Sequence, residues 1–167
     1  MKIAILSDVH DNIWNLKKAL DELKGQVDAV IFCGDYCAPF IPPKIAKLKV
    51  HVYSCLGNND EDQICQLQTG GELFSWTPLA DEFGKVELDG KKIAFCHYPK
   101  LAELLAKSEA YDAVFHGHTH SSRNEKHGKT LLLNPGAVCG IQNGKEGKAS
   151  FAIYDTKTNS AVITEIK

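Results

Sequence analysis

The sequence predicts an α/β fold in four layers, an α/β/β/α sandwich of two mixed β-sheets flanked by helices. Three observations lead there. In the first half, short apolar runs alternate with helical segments in the order βαβαβ, so a parallel sheet with right-handed crossovers is expected. The second half opens with a hairpin and continues in runs that alternate as antiparallel strands. Five apolar runs along the chain end in Asp, Asn or His. In open α/β sheets the C-terminal strand edge is where ligand sites collect.

Each element has its own signal. Residues 2–7 are an apolar strand running into Asp8. Residues 12–24 read as an amphipathic helix, with Ile13, Leu16, Ala19, Leu20 and Leu23 on one face and Lys17, Lys18, Asp21 and Glu22 elsewhere. Asn12 is the expected N-cap, and Gly25 stops the helix. Residues 28–33 form the second strand. Residues 39–43, Pro-Phe-Ile-Pro-Pro, are a stiff loop before a short helix over 44–48. Residues 50–56 are the third strand. Residues 61–68 are helical, capped by Asp60, Glu61 and Asp62 and ended by Gly70-Gly71. Residues 85–88 and 91–96 pair as a hairpin around Asp89-Gly90. A helix over 101–107 and a strand over 112–116 follow. Residues 123–126, 130–133, 150–155 and 161–166 are the antiparallel strands. No repeat or linker divides the chain, so residues 1–167 read as a single domain.

Composition narrows the function classes. Apolar residues make up 44% and charged residues 24%, as in an ordinary globular protein. The formal net charge of -2 gives no basic footprint for non-specific nucleic-acid binding. The first apolar stretch is too short for a signal-peptide core and no run reaches membrane-spanning length, so a cytoplasmic protein is expected. Of the six cysteines, Cys33, Cys55 and Cys96 sit in or at the ends of apolar strands and read as small buried hydrophobes. Cys33 and Cys37 lack the C-x-x-C spacing of redox or zinc sites.

The strand ends carry Asp8-Val9-His10, Gly34-Asp35, Gly57-Asn58-Asn59-Asp60, His97 and Gly117-His118-Thr119-His120. If these segments are extended, Asp8 and His10 point to one side, and so do His118 and His120. Mixed carboxylate and imidazole ligands suit a divalent ion. Asp8, His10, Asp35 and one of the last two histidines can hold one ion. Asp35, Asn58, His97 and the other histidine can hold a second. Two ions about 3.5–4 Å apart clamp a bridging hydroxide and a phosphate. With two aspartates and one hydroxide the site carries a formal charge of about +1, which attracts a phosphodiester monoanion. Asp35, Asn58 and His97 are therefore the candidate catalytic residues. His51, His116 and His127 read as surface or core histidines.

This ordered set resembles the calcineurin-like metallophosphoesterase superfamily, whose pattern is D-x-H, G-D, G-N-x-D/E, a lone H and then G-H-x-H. The small size, Gly-His-Thr-His and Asn134-Pro135-Gly136 resemble its compact bacterial and archaeal phosphodiesterase branch. The resemblance implies the four-layer fold and hydrolysis of phosphate esters; a small phosphodiester is the expected substrate, with cyclic nucleotides and nucleic-acid ends left open. It also implies two divalent ions, manganese first, with nickel, iron, zinc or magnesium as alternatives. It assigns His120 to the first ion with Asp8 and His10, and His118 to the second with Asn58 and His97, with Asp35 bridging. Two positions depart from the pattern. Asn59 stands where many members place a histidine that protonates the leaving group, and Asp11 stands where many have glycine. The same branch resembles the phosphoesterase-like retromer subunit, so the alternative function is a protein-binding scaffold. Residues 39–42 and 73–76 would then be partner surface, homodimer contact or substrate wall, or else loops folded onto the core. A scaffold can lose ligands without penalty, and this chain retains all seven.

Overall fold

In β1 (Lys2–Leu6), Ile3 and Ile5 face one way and Ala4 and Leu6 the other, and all four are fully buried. A strand buried on both faces needs a layer on each side. The computed structural model describes residues 1–167 and supplies both layers. On one side, Ala4 and Leu6 pack with Leu16, Ala19 and Leu23 of α1 (Ile13–Leu23) and with Ile45 of α2 (Pro42–Ile45). Asn12 caps α1, its side chain accepting from the Asn15 N–H at 3.0 Å.

β2 (Ala29–Cys33), β3 (His51–Cys55) and β4 (Phe74–Trp76) continue the sheet in parallel, joined through α1, α2 and α3 (Gln63–Thr69). The last two long strands, β12 (Ser150–Asp155) and β13 (Ser160–Glu165), return antiparallel to the other edge of β1. The order is β13-β12-β1-β2-β3-β4.

The second sheet has β5 (Gly84–Leu88), β6 (Lys91–Phe95), β7 (Ala113–Phe115), β8 (Arg123–His127) and β9 (Thr130–Asn134), in the order β5-β6-β7-β9-β8. Asp89 and Gly90 both have positive φ, as a two-residue hairpin turn requires. Ile93, Phe95, Phe115, Leu131 and Leu133 meet Ile3, Ile5 and Ile31 between the sheets. On the far side, Ala94, Val114 and Leu132 pack against Ala102 and Ala106 of α4 (Pro99–Lys107). Helices, sheet, sheet and helix make the four layers. Burial of each large aliphatic side chain contributes roughly 1.5–3 kcal/mol.

Two elements differ from the sequence reading. Residues 74–76 are not loop but the edge strand β4, with Phe74 buried and paired with Val52. A small hairpin of β10 (Ile141–Gln142) and β11 (Lys145–Glu146) forms around Asn143-Gly144. No helix is long and apolar enough to cross a membrane. All six cysteines are unpaired, and Cys33, Cys55 and Cys96 are buried.

Candidate metal centre

The seven candidate ligands come from the ends of five strands in both sheets. Asp8 and His10 follow β1, Asp35 follows β2, Asn58 follows β3, His97 follows β6, and His118 and His120 follow β7. Backbone hydrogen bonds lock these loops together. Asp8 N–H donates to Gly34, Val9 N–H to Asp35 and Gly117 N–H to His97, at 2.9–3.1 Å. The glycines of the motifs permit this crowding. A Cβ on Gly57 would overlap the Asp35 carboxylate, and one on Gly117 would overlap the Ser7 hydroxyl.

The segments are not extended. Asp8, His10, Asp35, His118 and His120 have φ of 57°, 44°, 63°, 70° and 56°. Left-handed backbone at a non-glycine residue costs of order 1–3 kcal/mol and persists where the surroundings over-determine it. It also changes where the side chains go. His118 and His120 do not share a side; they reach two different groups.

In the first group, His10 Nε2 lies 3.0 Å from His120 Nε2 and 3.4 Å from Asp35 Oδ2, and His120 Nε2 lies 3.3 Å from Asp8 Oδ1. The four donor atoms lie within 4.8 Å of one another. In the second, Asn58 Oδ1 is 3.0 Å from His97 Nε2 and 2.9 Å from His118 Nδ1, and the two histidine nitrogens are 3.2 Å apart. His97 Nε2 also lies 3.4 Å from Asp35 Oδ2. One oxygen of Asp35 thus faces a histidine of each group.

Both carboxylates are buried, Asp8 at 0% and Asp35 at 1% exposure, and no lysine or arginine pairs with either. Buried carboxylates demand a counter-charge. In the chain alone the histidines provide it. Burial disfavours the His97 cation, but the hydrogen bond and charge of Asp35 outweigh this and raise its pKa. His120 is pushed up to about 11, chiefly by its bond to Asp8 and then by Cys139. Burial likewise works against ionised Asp35, yet His97 and Asn59 hold its carboxyl well below the usual range. Burial and the neighbouring His97 lower the His118 pKa.

The donor set fits divalent ions. His97 Nδ1 faces the Cys33 carbonyl at 2.8 Å and His120 Nδ1 the Ile141 carbonyl at 2.6 Å. An Nδ1–H donated to each carbonyl leaves Nε2 as a lone pair aimed into its group, the arrangement of metal-ligating histidines.

Several supporting residues escaped the sequence reading. Asp60 is no helix cap; Asp62 does that, accepting from Cys65 N–H at 3.2 Å. The Asp60 carboxylate is buried and accepts from the N–H groups of Asp35, Cys37 and Gly57 at 2.7–2.9 Å, tying two motif loops together. Asn134 Nδ2 donates to Gly117 O and Thr119 Oγ1, which fixes the Gly-His-Thr-His loop. Cys139 lies beside His10 and His120, and Cys37 Sγ is 3.4 Å from His10 Nδ1. Burial and the Asp11 charge push the Cys37 thiol up to about 12. His51 bonds Ser75 and His127 bonds Glu125, outside the centre. His116 is buried, with Nδ1 facing Gly117 O.

The model of the calcineurin-like phosphoesterase superfamily domain matches residues 1–159. The chain belongs to that superfamily. Together with its phosphodiesterase relatives this makes it a phosphoester hydrolase, of a family that uses divalent metal ions. It is 35% identical over 147 residues to phosphodiesterase MJ0936 of Methanocaldococcus jannaschii, covering 86% of this chain and 88% of that one. A solved archaeal phosphodiesterase superposes with a TM-score of 0.87 at 30% identity, over 99% of each chain. Vacuolar Protein Sorting 29 from Cryptosporidium parvum superposes with a TM-score of 0.69 at 17% identity, over 98% of this chain and 95% of that one. That last likeness is one of fold.

Proposed function

We propose that this chain is a phosphodiesterase that hydrolyses small phosphodiesters at a dinuclear centre. The observation that carries the reading is Asp35, whose Oδ2 lies 3.4 Å from His10 Nε2 and 3.4 Å from His97 Nε2. Asp8, His10, Asp35 and His120 would hold one divalent ion, and Asp35, Asn58, His97 and His118 the other. When bound, two such ions supply Lewis acidity to a phosphoryl oxygen and acidify water for attack on phosphorus. Manganese is the first choice as what the family resemblance implies; the donors themselves, four imidazoles with carboxylate and amide oxygens, accept nickel, iron or zinc as well.

The chain's own residues do the rest. Asp8 and Asp35 supply only two negative charges, so a loaded centre stays net positive and draws a phosphodiester anion. The Cys33 and Ile141 carbonyls hold His97 and His120 in the ligating tautomer. Asn59 and Asp60 hold Asp35 from its side chain and its backbone.

Residues 1–167 act as one domain, a reading supported by β12 and β13 completing the sheet that β1 begins. Six unpaired cysteines support a reducing, cytoplasmic setting. A protein-binding scaffold has only the fold likeness in its favour.

The test is hydrolysis of bis(p-nitrophenyl) phosphate by chelated protein before and after manganese is restored, with anomalous scattering from a manganese-soaked crystal. Activity only with metal, and two adjacent peaks, are expected. Activity that survives chelation, or a single peak, overturns the reading.

A further inference from the structure

A cleft of about 190 Å³ opens beside the group formed by Asn58, His97 and His118. His97 is part of its wall, as is Gly57, the neighbour of Asn58. Tyr98 lines it too, 47% exposed, its ring centre 5.2 Å from those of both His97 and His118. Pro78, Leu79, Asp81 and Glu82 make up the outer wall, and no lysine or arginine lines the cleft. Neither Asp81 nor Glu82 takes part in any of the chain's ion pairs.

Size comes first. A pocket for a drug-sized ligand measures about 300 Å³ or more, so this cleft takes one substituent of a substrate. Charge comes second. An aromatic face attracts an ammonium group, and two carboxylates with no cation of their own attract it further and repel a second anion. Pro78 and Leu79 offer apolar contact to any alkyl group, charged or not.

We propose that the cleft holds a cationic, alkylammonium substituent of the phosphodiester substrate, against Tyr98 and the carboxylates of Asp81 and Glu82. The proposal rests on the phosphodiesterase reading above and names the class of ester that reading leaves open. The phosphate lies at the two donor groups and the ammonium arm in the adjoining cleft. Substrates rank ammonium first, neutral alkyl second and anionic last.

Three p-nitrophenyl diesters test the ranking, because they share a leaving group and differ in the other substituent: choline, ethyl or carboxymethyl. In manganese-loaded enzyme kcat/KM should fall in that order, with about a five- to tenfold step from choline to ethyl, the size expected of partly exposed charge contacts. The double variant Asp81→Asn, Glu82→Gln should bring the choline ester most of the way down to the ethyl rate, leaving the share that Tyr98 holds, and leave the ethyl ester unchanged. Equal rates for the two in wild type, or a preference undiminished in the double variant, overturns the proposal. Turnover of the ethyl ester separately tests the phosphodiesterase reading. A second measurement needs no turnover. Tetramethylammonium titrated into isotopically labelled protein should shift the Leu79 and Tyr98 amide resonances in wild type and less, at the same concentration, in the double variant. Absence of a shift overturns the proposal even in an inactive preparation.

Discussion

Asn59 holds both oxygens of Asp35. Its backbone N–H donates to Oδ1 at 2.9 Å and its side-chain amide to Oδ2 at 2.8 Å. The residue that stands where many relatives have a proton-donating histidine is here a clamp on the shared carboxylate. Its amide cannot protonate a departing oxygen at neutral pH.

The leaving group should therefore depart with its charge largely unneutralised. A general acid contributes about 10²–10⁴-fold, and neither neighbour replaces it: His116 is buried, and Asp60 is occupied by backbone donors. Rates across a series of diesters should depend steeply on leaving-group acidity, with aryl esters far ahead of alkyl esters. A flat dependence would show that another residue donates the proton. Asn59→Ala should also weaken manganese binding about tenfold or more, as loss of an outer-shell partner does, read by calorimetry.

Asp60→Ala should destabilise the metal-free chain by about 3 kcal/mol or more. Three backbone N–H groups lose their acceptor at once, and each buried donor left unpaired costs roughly 1–3 kcal/mol. Urea unfolding of chelated protein measures it. A loss below about 1 kcal/mol would mean that water replaces the carboxylate.

Metal uptake should release protons. His120 is pushed up to about 11 and so is protonated at neutral pH in the metal-free chain, and the His97 pKa is raised as well. Each contributes stability that is complete below the unfolded value of about 6.5 and is lost as pH climbs through the folded value. The metal-free melting temperature should therefore fall from neutral to alkaline pH. Ligands must be deprotonated to bind, so manganese affinity should rise over the same range. Titration calorimetry in buffers of different ionisation enthalpy reports the released protons. Identical heats in all buffers would contradict the assignment.

Asp35→Ala and His97→Ala should each lower activity by about a hundredfold or more, since each removes a donor from the centre. Cys96→Ser should keep metal and most activity. Cys96 is buried against α4, and its thiol donates to the Tyr98 carbonyl rather than to any candidate ligand. A Cys96→Ser enzyme that lost its metal would place this thiol in the centre's support. Steady-state kinetics alongside metal analysis separates these outcomes.

The order of elements was legible because the central strands β1, β2, β7 and β9 are buried on both faces and read as largely apolar runs. β4 was not, for a three-residue edge strand has no periodicity of its own and is specified by pairing with β3. The Asn143-Gly144 turn does carry a hairpin signal, but its flanks Ile141–Gln142 and Lys145–Glu146 lack alternation. Convergence of the seven donors followed from their places at strand ends. The split between His118 and His120 depends on left-handed backbone, which no side-chain pattern reveals. Cys37 and Cys139 approach His10 and His120 from distant parts of the chain, so no local motif announces them.

Four of the candidate ligands hang from the first sheet and three from the second, with Ile3, Ile5, Phe95, Phe115 and Leu133 filling the gap between. The oily interior is thus the spacer that sets the separation of the two sets of donors. A change of one methylene there, out of reach of any substrate, should shift one set of donors against the other as a shim shifts a bearing. The residues that set the spacing of the candidate donors include some that are not donors themselves.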